Sequence, residues 1–380
     1  MAVHEGFGWS EAGVEVAGAR VGVTTAWVRG PVGDDDALDA LYDELAGRLR
    51  RRGHVLVHEK AFGLGALAPT VDGTRRRAFA RAGLGEPVPT TWLEGRPCVG
   101  GRFAGLQAWS VEAADGVQLQ PLRGDVGAGW LVTTQAGRLL FVGGVTGAPG
   151  PTTDVPAELG QMFERARGLL QGQGFTFRDV ARTWLFAGRL LDLYDDLNRV
   201  RSAFFRGQGL IDGPLPVYLP ASTGIQGAHP SGAACVLDLL AVQASATDAA
   251  PTPLRSARQD AAFQYGSAFS RGMRLGAAEH PLVLVSGTAS IALDGRSLYA
   301  GDPQGQIAET LLDVAAVLRS GATTFGDVVS TIRYHKDPQT FRTYSEMKEL
   351  GLVPDLPGID VLADVCRSEL LFELEAVATR

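Results

Sequence analysis

The stretch that decides the fold reads Cys366-Arg-Ser-Glu-Leu-Leu-Phe-Glu-Leu-Glu-Ala-Val377. Its polarity alternates with a period of two, which is typical of a β-strand with two different faces. One face carries two carboxylates and consists of Leu371, Glu373 and Glu375. The other face is wholly apolar and consists of Leu370, Phe372 and Leu374. On one interpretation the carboxylates blunt a solvated sheet edge. On the other, a carboxylate lies in a pocket, where burial raises its pKa and suits it to proton transfer.

The overall composition is typical of a globular protein, with 380 residues, 45% of them hydrophobic and 20% charged. A net charge of -7 leaves no basic excess to offset phosphates, which argues against a nucleic-acid partner. A small anionic substrate needs only one or two local arginines. Residues 1–5 lack the features of a signal peptide, and no apolar run approaches membrane-spanning length. We therefore expect a cytoplasmic protein that does not bind membranes.

Cysteine and histidine spacing gives no support for a metal site or a disulfide framework. The three cysteines are far apart in the sequence: Cys98, Cys235 and Cys366. His280 and His335 are isolated, so no Ser/His/Asp arrangement can be argued from the sequence. Gly143-Gly-Val-Thr-Gly147 follows a strand but does not open into a helix as a dinucleotide-binding loop would. We expect neither a metal nor an organic cofactor.

Hydrophobic periodicity predicts a mixture of helices and strands along the whole chain. Apolar residues at helical spacing predict helices over Ala37–Arg51, Thr74–Ala82, Ala157–Gln171, Leu190–Phe205, Gln304–Arg319 and Pro338–Leu350. Short runs rich in apolar residues predict strands over Val21–Val28, Val55–Lys60, Thr90–Leu93, Leu106–Val111, Trp130–Thr134, Leu139–Val142, Val180–Phe186, Val217–Leu219, Cys235–Val242, Leu282–Ser286, Val328–Tyr334, Ile359–Val365 and Leu370–Val377.

This order of elements repeats along the chain. Phe177-Arg-Asp-Val-Ala-Arg-Thr183 parallels Phe325-Gly-Asp-Val-Val-Ser-Thr331, and Val142-Gly-Gly144 parallels Val285-Ser-Gly287. We therefore predict three α+β modules, over residues 1–124, 125–250 and 251–380. The element order places both helices of a module on one face of a small mixed sheet. Packing the three uncovered sheet faces together predicts helices outside a central barrel-like core.

Four short motifs lie in the third module, at Val285-Ser-Gly-Thr288, Gly301-Asp302, Asp327-Val-Val329 and Phe372–Val377. They resemble the Rid (reactive intermediate deaminase) family, whose members are homotrimers with active sites at subunit interfaces. The resemblance implies a pseudo-trimer fused in one chain, which we expect to be a monomer. In this arrangement the first module is degenerate, the second contributes substrate contacts and the third carries the catalytic residue.

A closer resemblance covers the last two-thirds of the chain. Its motifs are Arg182-Thr-Trp184, Asn198-Arg-Val-Arg201, Ala268-Phe-Ser-Arg-Gly272, Leu284–Ile291, Gln306–Leu311 and Ala363–Glu373. Together they are similar to the chorismatases, which release the enolpyruvyl group of chorismate as pyruvate without metal or organic cofactor. Members form a dihydroxycyclohexadiene carboxylate or a hydroxybenzoate. The resemblance implies a small, anionic, chorismate-like substrate.

The chorismatase resemblance also assigns candidate site residues. Glu373 matches the family's catalytic glutamate, and a carboxyl group of raised pKa can protonate the enol methylene and then act as a base. Arg201 and Arg271 are candidates either for anchoring the two substrate carboxylates or for pairing across a module interface. Glycine after Phe-Ser-Arg resembles the hydroxybenzoate-forming type. The other candidate substrate contacts are Gly272, Phe263, Tyr265, Ser286 and Leu362.

Departures from the family pattern leave other functions open. Phe263 stands where the family has a tyrosine, and Leu362 replaces a more polar pocket residue. The segment before Phe269 is short and lacks the family's Pro-Arg, so an altered substrate or lost activity is one alternative. Rid-type imine hydrolysis is another, although Pro220-Ala221 is followed by serine where that family places an arginine. A non-catalytic small-molecule-binding protein is the third.

Overall fold

The structure is a computed structural model that describes residues 6–32, 35–88, 90–124, 127–147, 150, 153–246, 250–259 and 262–380. In these residues the chain forms a mixed α+β fold with six α-helices and three main β-sheets. None of the helices in this part of the chain is both long and apolar enough to cross a membrane.

The first sheet combines long antiparallel strands with two covering helices. Its strands are β1 (Phe7–Val16), β2 (Ala19–Val28), β3 (His54–Gly63), β4 (Thr91–Glu94) and, after the short β5 (Arg96–Pro97), β6 (Phe103–Glu112). They lie in the order β1-β2-β6-β3-β4, whereas β5 pairs with the third sheet. Helices α1 (Asp35–Arg52) and α2 (Ala68–Arg81) pack their apolar residues against one face.

The second sheet repeats this plan. Its strands are β7 (Gln118–Leu122), β8 (Ala128–Thr133), β9 (Gly137–Thr146), β10 (Val180–Ala187) and, after a two-residue ladder of β11 (Ile211–Asp212) and β12 (Leu215–Pro216), β13 (Ala221–Gln226) and β14 (Cys235–Ala244). The order is β13-β10-β14-β9-β8-β7. Helices α3 (Val155–Gly172) and α4 (Leu190–Gly207) cover its outer face.

The third sheet holds the stretch that opened the sequence analysis. Its strands are β15 (Thr252–Leu254), β16 (Gly272–Leu275), β17 (Leu282–Ala289), β18 (Val328–His335), β19 (Gly358–Leu362) and β20 (Phe372–Thr379), in the order β15-β16-β17-β20-β18-β19-β5. Helices α5 (Pro303–Ser320) and α6 (Pro338–Glu349) pack on one face. Strand β20 lies between β17 and β18, so the interpretation of its glutamates as sheet-edge residues is wrong.

Local sequence explains why the repeated motifs fold alike. Thr176 and Thr324 each form a capping box with the aspartate three residues later, and each box leads directly into a strand, β10 or β18. Aspartates cap α5 and α6. The side chain of Asp302 accepts a hydrogen bond from the N–H three residues later in the chain, and the side chain of Asp337 does the same. A proline follows each of these two caps, at a position where its missing N–H costs no helical hydrogen bond.

Three differences between the predicted and the observed elements bear on the fold. Strand β1 was not predicted, because its glycines and glutamates interrupt the apolar alternation. The predicted strand Val217–Leu219 is wrong, since the parallel partner of β10 is β13, which starts after Pro220. The described strands also form three open sheets rather than one closed barrel. Their inner faces nevertheless share a single apolar cluster that includes Trp109, Trp184 and Ile332.

Polar side chains within this core pair across three sheet-to-sheet contacts, which we call seams. At the first seam, between the first and second sheets, Asp238 accepts hydrogen bonds from Thr91 Oγ1 (2.9 Å) and Gly144 N (2.8 Å) and contacts His58 Nε2 (2.9 Å). At the third seam, between the third and first sheets, Ser330 Oγ contacts Thr25 Oγ1 at 2.7 Å. The second seam joins the second and third sheets and contains the candidate site.

Replacing Asp238 tests whether these contacts fix the sheets together. Asp238→Ala removes the partner of the buried Thr91 and His58 side chains and of the half-buried Gly144 N–H, so the free energy of unfolding should fall by about 3 kcal/mol. Asp238→Asn keeps one carbonyl oxygen and should lose less. Urea titration of both variants measures the difference, with the exposed Asp195→Ala on α4 as a control. Equal stability of Asp238→Ala and the wild type would contradict this role.

Candidate active site

A narrow pocket with a cavity volume of about 30 Å³ opens at the second seam. Helix α4 contributes Tyr194, Leu197 and Arg201 to its wall, and β13 contributes Ser222 and Gly224. The opposite wall belongs to the third sheet and the segments beside it, with Tyr265, Phe269, Arg271, Gly287, Cys366, Arg367 and Glu373. The pocket therefore combines residues that lie far apart in the sequence, which the resemblance to interface-site enzymes predicts.

Glu373 lies on the central strand β20, opposite Tyr334 and Ala289, and is only 4% exposed. Burial raises the pKa of its carboxyl group to about 8, and the negative charge of Glu375 acts in the same direction. The charges of Arg182 and Arg271 lower the pKa but do not outweigh burial. Glu373 is therefore protonated at neutral pH, which is the state that a general acid requires.

Because Gly287 has no side chain, the Glu373 carboxyl group can lie directly beside it. A Cβ atom at position 287 would lie 2.1 Å from Glu373 Oε1 and 3.0 Å from Thr223 Cγ2. The Gly287 N–H donates a 3.0 Å hydrogen bond to Thr223 Oγ1 across the seam. Glycine is needed here because a side chain would displace the carboxyl group from its place beside β17.

Glu375 is held very differently from Glu373. Its Oε1 lies 3.3 Å from Lys60 Nζ, and its Oε2 accepts hydrogen bonds from Arg182 Nη2 (2.6 Å) and from the Thr223 hydroxyl. Burial alone would raise the pKa of Glu375, but Lys60, Arg182 and Thr223 together hold it below its ordinary value. Burial lowers the pKa of Lys60 to about 8, although Glu375 opposes that shift. Glu375 is therefore an ionised, buried carboxylate.

Arginine side chains and aromatic rings lie side by side in the pocket wall. The Arg201 and Arg271 guanidinium groups each lie 5.7 Å from the Phe269 ring, and Arg271 also lies 5.4 Å from Tyr265. Arg201 donates to Asn198 Oδ1 at 2.6 Å, whereas its buried Nε has no hydrogen-bond partner among the described residues. With Glu373 protonated, this wall is strongly positive and suits an anionic ligand.

The structure brings four of the predicted site residues together in the pocket, namely Glu373, Arg201, Arg271 and Tyr265. It places the other four elsewhere. A side chain at Gly272 would point at Val317 of α5, and Phe263 packs against the core of the second sheet. Ser286 Oγ is occupied, because it donates to Ser270 O and accepts from Ser222 N.

Leu362 is the fourth of these and needs the largest correction. It pairs with Arg96 of β5 and with His335 of β18, on the side of the third sheet that meets the first sheet. Strand β18 thus lies between β19 and the pocket-lining strand β20. Its position on the penultimate strand suggested a pocket residue, but the strand order places it at a different seam.

Sequence reasoning did not identify several pocket residues. Arg367 lies 5.6 Å from the Tyr265 ring and donates to Gly295 O at 2.7 Å, which holds a third guanidinium group at the pocket. Tyr194 shares a 3.1 Å hydrogen bond with Ser267 Oγ. Both residues had a sequence signal, because Arg367 lies in the motif that ends at Glu373 and Tyr194 lies two helical turns before Arg201, on the same face of α4.

Cys366 is the cysteine that lines this pocket. Burial raises the pKa of the Cys366 thiol to about 12, so it is protonated and a poor nucleophile. Within the described ranges, no group of three or more His, Cys, Asp or Glu side chains is arranged to hold a metal ion.

Comparison with known proteins gives a match in structure but not in sequence. No protein-family model matches the chain, and no curated protein sequence matches it. A crystal structure of a chorismatase superimposes with a TM-score of 0.62 and 20% identity, covering 85% of this chain and 93% of that chain. This likeness confirms the predicted resemblance at the level of the fold.

Shorter structures match part of the chain. The protein YJGH has 23% identity and a TM-score of 0.28, and covers 34% of this chain and 95% of its own. E. coli TdcF with bound serine has 21% identity and a TM-score of 0.28, and covers 34% of this chain and 98% of its own.

Gly287→Ala tests the close approach of Glu373 to β17. The added methyl group overlaps Glu373 Oε1, so we expect a loss of about 2 kcal/mol in the free energy of unfolding. Gly224→Ala is the matched control, because a Cβ there meets nothing within 4 Å. Thermal unfolding of both variants measures the contrast. Equal melting temperatures for the two would show that the contact is not tight.

Glu373→Gln tests the protonation state of the buried carboxyl group. The pKa of Glu373 is raised from 4.5 in the unfolded chain to about 8 when folded. The wild type therefore loses stability as the pH rises through this window, by up to about 1.4 kcal/mol per pH unit. The amide of the variant does not titrate, so Glu373→Gln should gain stability relative to the wild type from pH 5 to pH 8. Urea titrations at each pH that run parallel would contradict the raised pKa.

Proposed function

We propose that this protein cleaves the enolpyruvyl ether of chorismate, or of a close analogue, and releases pyruvate. The observation that carries the proposal is Glu373, a buried carboxyl group with a pKa of about 8 that faces a pocket rich in guanidinium groups. The fold shared with a chorismatase supports it. The position of Glu373, which matches the catalytic glutamate of that family, supports it as well.

Substrate binding follows from the charges of the pocket. Chorismate carries one carboxylate on its ring and another on the enolpyruvyl group. The guanidinium groups of Arg201, Arg271 and Arg367 are the cations available to them in the pocket wall. A planar guanidinium group binds a carboxylate through two parallel hydrogen bonds, so arginine also fixes the orientation of the substrate. Tyr265 and Phe269 offer flat apolar surfaces to the ring.

The proposed reaction begins with proton transfer from Glu373 to the methylene carbon of the enol ether. The double-bond electrons form the new C–H bond, and the ether carbon becomes an oxocarbenium-like cation. Water adds to that carbon and returns its proton to the Glu373 carboxylate. The hemiketal hydroxyl group then loses its proton as the C–O bond to the ring breaks and the leaving oxygen gains one, which releases pyruvate and a hydroxylated ring. Loss of water from the ring product would give a hydroxybenzoate, so both product types fit this first step.

The proposal extends to the organisation of the chain. We infer three Rid-like modules over residues 1–124, 125–250 and 251–380, which act as a monomeric pseudo-trimer without a cofactor. Three sheets with two covering helices each support a division into three, although β7 (Gln118–Leu122) and β5 (Arg96–Pro97) pair outside the first sheet. A carboxyl group equivalent to Glu373 is absent from the second module, because Val236 stands opposite Phe186 where Glu373 stands opposite Tyr334. We therefore expect one active site per chain.

The Rid-type alternative has weaker support from the pocket. Those enzymes hold a substrate carboxylate with an arginine that follows Pro-Ala. The corresponding residue of the second module, Ser222, lines the pocket, and its N–H is hydrogen-bonded to Ser286. An imine hydrolase would therefore need its anchoring charge from another residue.

Pyruvate release tests the proposed function directly. The purified full chain is incubated with chorismate, and pyruvate is measured with lactate dehydrogenase. Glu373→Gln removes the transferable proton and should lower kcat by about 10³-fold or more while the fold is kept. The exposed Glu346→Gln on α6 serves as the control and should leave kcat unchanged. Absence of pyruvate with the wild type at every pH, or full activity of Glu373→Gln, would overturn the proposal.

A further inference from the structure

The pocket wall contains no residue of the first sheet among those that the structure describes, yet that sheet reaches the site from behind. Lys60 on β3 is fully buried, and its Nζ lies 3.3 Å from Glu375 Oε1 and 4.1 Å from the centre of the Trp184 ring. Arg182 on β10 binds the other oxygen of the same carboxylate at 2.6 Å. Glu375 is thus the point at which the three sheets meet.

Glu373 and Glu375 are two residues apart on β20, so their side chains share one face of the sheet. Two buried carboxyl groups at this spacing cannot both ionise cheaply, so a single proton is distributed between them. The placement of the cations decides where that proton resides. Lys60 and Arg182 both contact Glu375, and no ion pair joins either of them to Glu373 in the described structure.

A second connection between the two carboxyl groups runs through Thr223. Its hydroxyl donates to Glu375 Oε2 and accepts from the N–H of Gly287, the residue on which Glu373 Oε1 rests. The ionised Glu375 therefore fixes the Thr223 rotamer, and Thr223 in turn holds β17 at the distance that Glu373 needs. Through their contacts with Glu375, Lys60 and Arg182 therefore affect both the protonation and the position of Glu373.

We propose that Lys60 and Arg182 are positioning residues of this site, which pair with Glu375 and so leave the shared proton on Glu373. This inference rests on the proposed role of Glu373 as the proton donor. It assigns the first sheet a part in the chemistry without any contact with substrate. It also assigns Glu375 the role of a fixed negative charge rather than that of a second acid.

The other groups around Glu373 do not explain its protonation. The charged and titratable side chains that face it are Glu375 on its own strand, Tyr334 on β18, Arg182 on β10, Arg271 ahead of β16 and Cys366 ahead of β20. Tyr334 and Cys366 are neutral at physiological pH, because burial raises the pKa of both. The two arginines favour the ionised form of Glu373. Beyond burial itself, Glu375 is the neighbour that favours the protonated form.

The experiment measures the titration of the Glu373 carboxyl group together with the rate of pyruvate release. The full chain is labelled with ¹³C at glutamate side-chain carboxyl groups, and the Glu373 signal is assigned by its loss in Glu373→Gln. Its titration and the pH profile of kcat/KM for pyruvate release are recorded for the wild type, Lys60→Met, Glu375→Gln and the double variant. Lys348→Met, an exposed lysine on α6, is the control and should match the wild type.

Glu375→Gln removes the negative neighbour and leaves both cations, so the Glu373 midpoint and the alkaline limb should fall by about one pH unit or more. Lys60→Met moves part of the shared proton to Glu375, so kcat/KM at pH 7 should fall about tenfold. When Glu375→Gln is already in place, Lys60→Met should cost less than about twofold, because no second carboxylate is left to take the proton.

The opposite results are equally definite. An unchanged Glu373 midpoint in Glu375→Gln, or an equal effect of Lys60→Met in both backgrounds, would overturn the inference. If Lys60→Met does not fold, the Glu373 titration in Glu375→Gln and in the double variant still decides, since the double variant removes both buried charges. If the wild type releases no pyruvate, the proposed function fails, and the titration alone judges the inference.

Discussion

Buried polar side chains on the inner sheet faces must find their partners across a seam, and the rest of the structure depends on this constraint. Leaving a buried polar group unpaired costs about 1–3 kcal/mol, and a buried charge more, so each network favours one way of packing the sheets. The first seam has Asp238 with His58 and Thr91, the second has Glu375 with Lys60, Arg182 and Thr223, and the third has Ser330 with Thr25 and Gln107. The pocket lies beside the second network and takes its geometry from it.

Most of the secondary structure could be predicted from local patterns, because amphipathic helices and apolar strands carry their own periodicity. Each of the six predicted helices overlaps an observed helix, and aspartate caps explain where α5 and α6 begin. Strand β13 could not be found in this way. Apart from Ile225, the residues of Ala221–Gln226 are small or polar, and they form a strand because β10 and the third sheet bury them on both sides. Such tertiary context leaves no trace in a short window of sequence.

The candidate site, like the secondary structure, could be predicted from the sequence only in part. The period-two pattern singled out the face that carries Glu373 and Glu375, but strand order was needed to show that β20 is central. Arg201 and Arg271 came from motif resemblance, and both lie in the pocket. Ser286 and Leu362 do not, because proximity in sequence or element order does not say which seam a strand faces. Lys60 carried no local signal, since its partner Glu375 is 315 residues away.

The three seams differ in chemistry although the sheets that form them are built alike. In an assembly of identical subunits, a mutation at one interface appears at every interface, so a change that helps one site must be tolerated at all the others. A single chain with three unlike seams is free of that restriction. Its first and third seams can accumulate substitutions that favour cohesion alone, while the second can carry a destabilising, protonated carboxyl group. Selection can therefore act on the pocket and on folding at separate places in the same molecule.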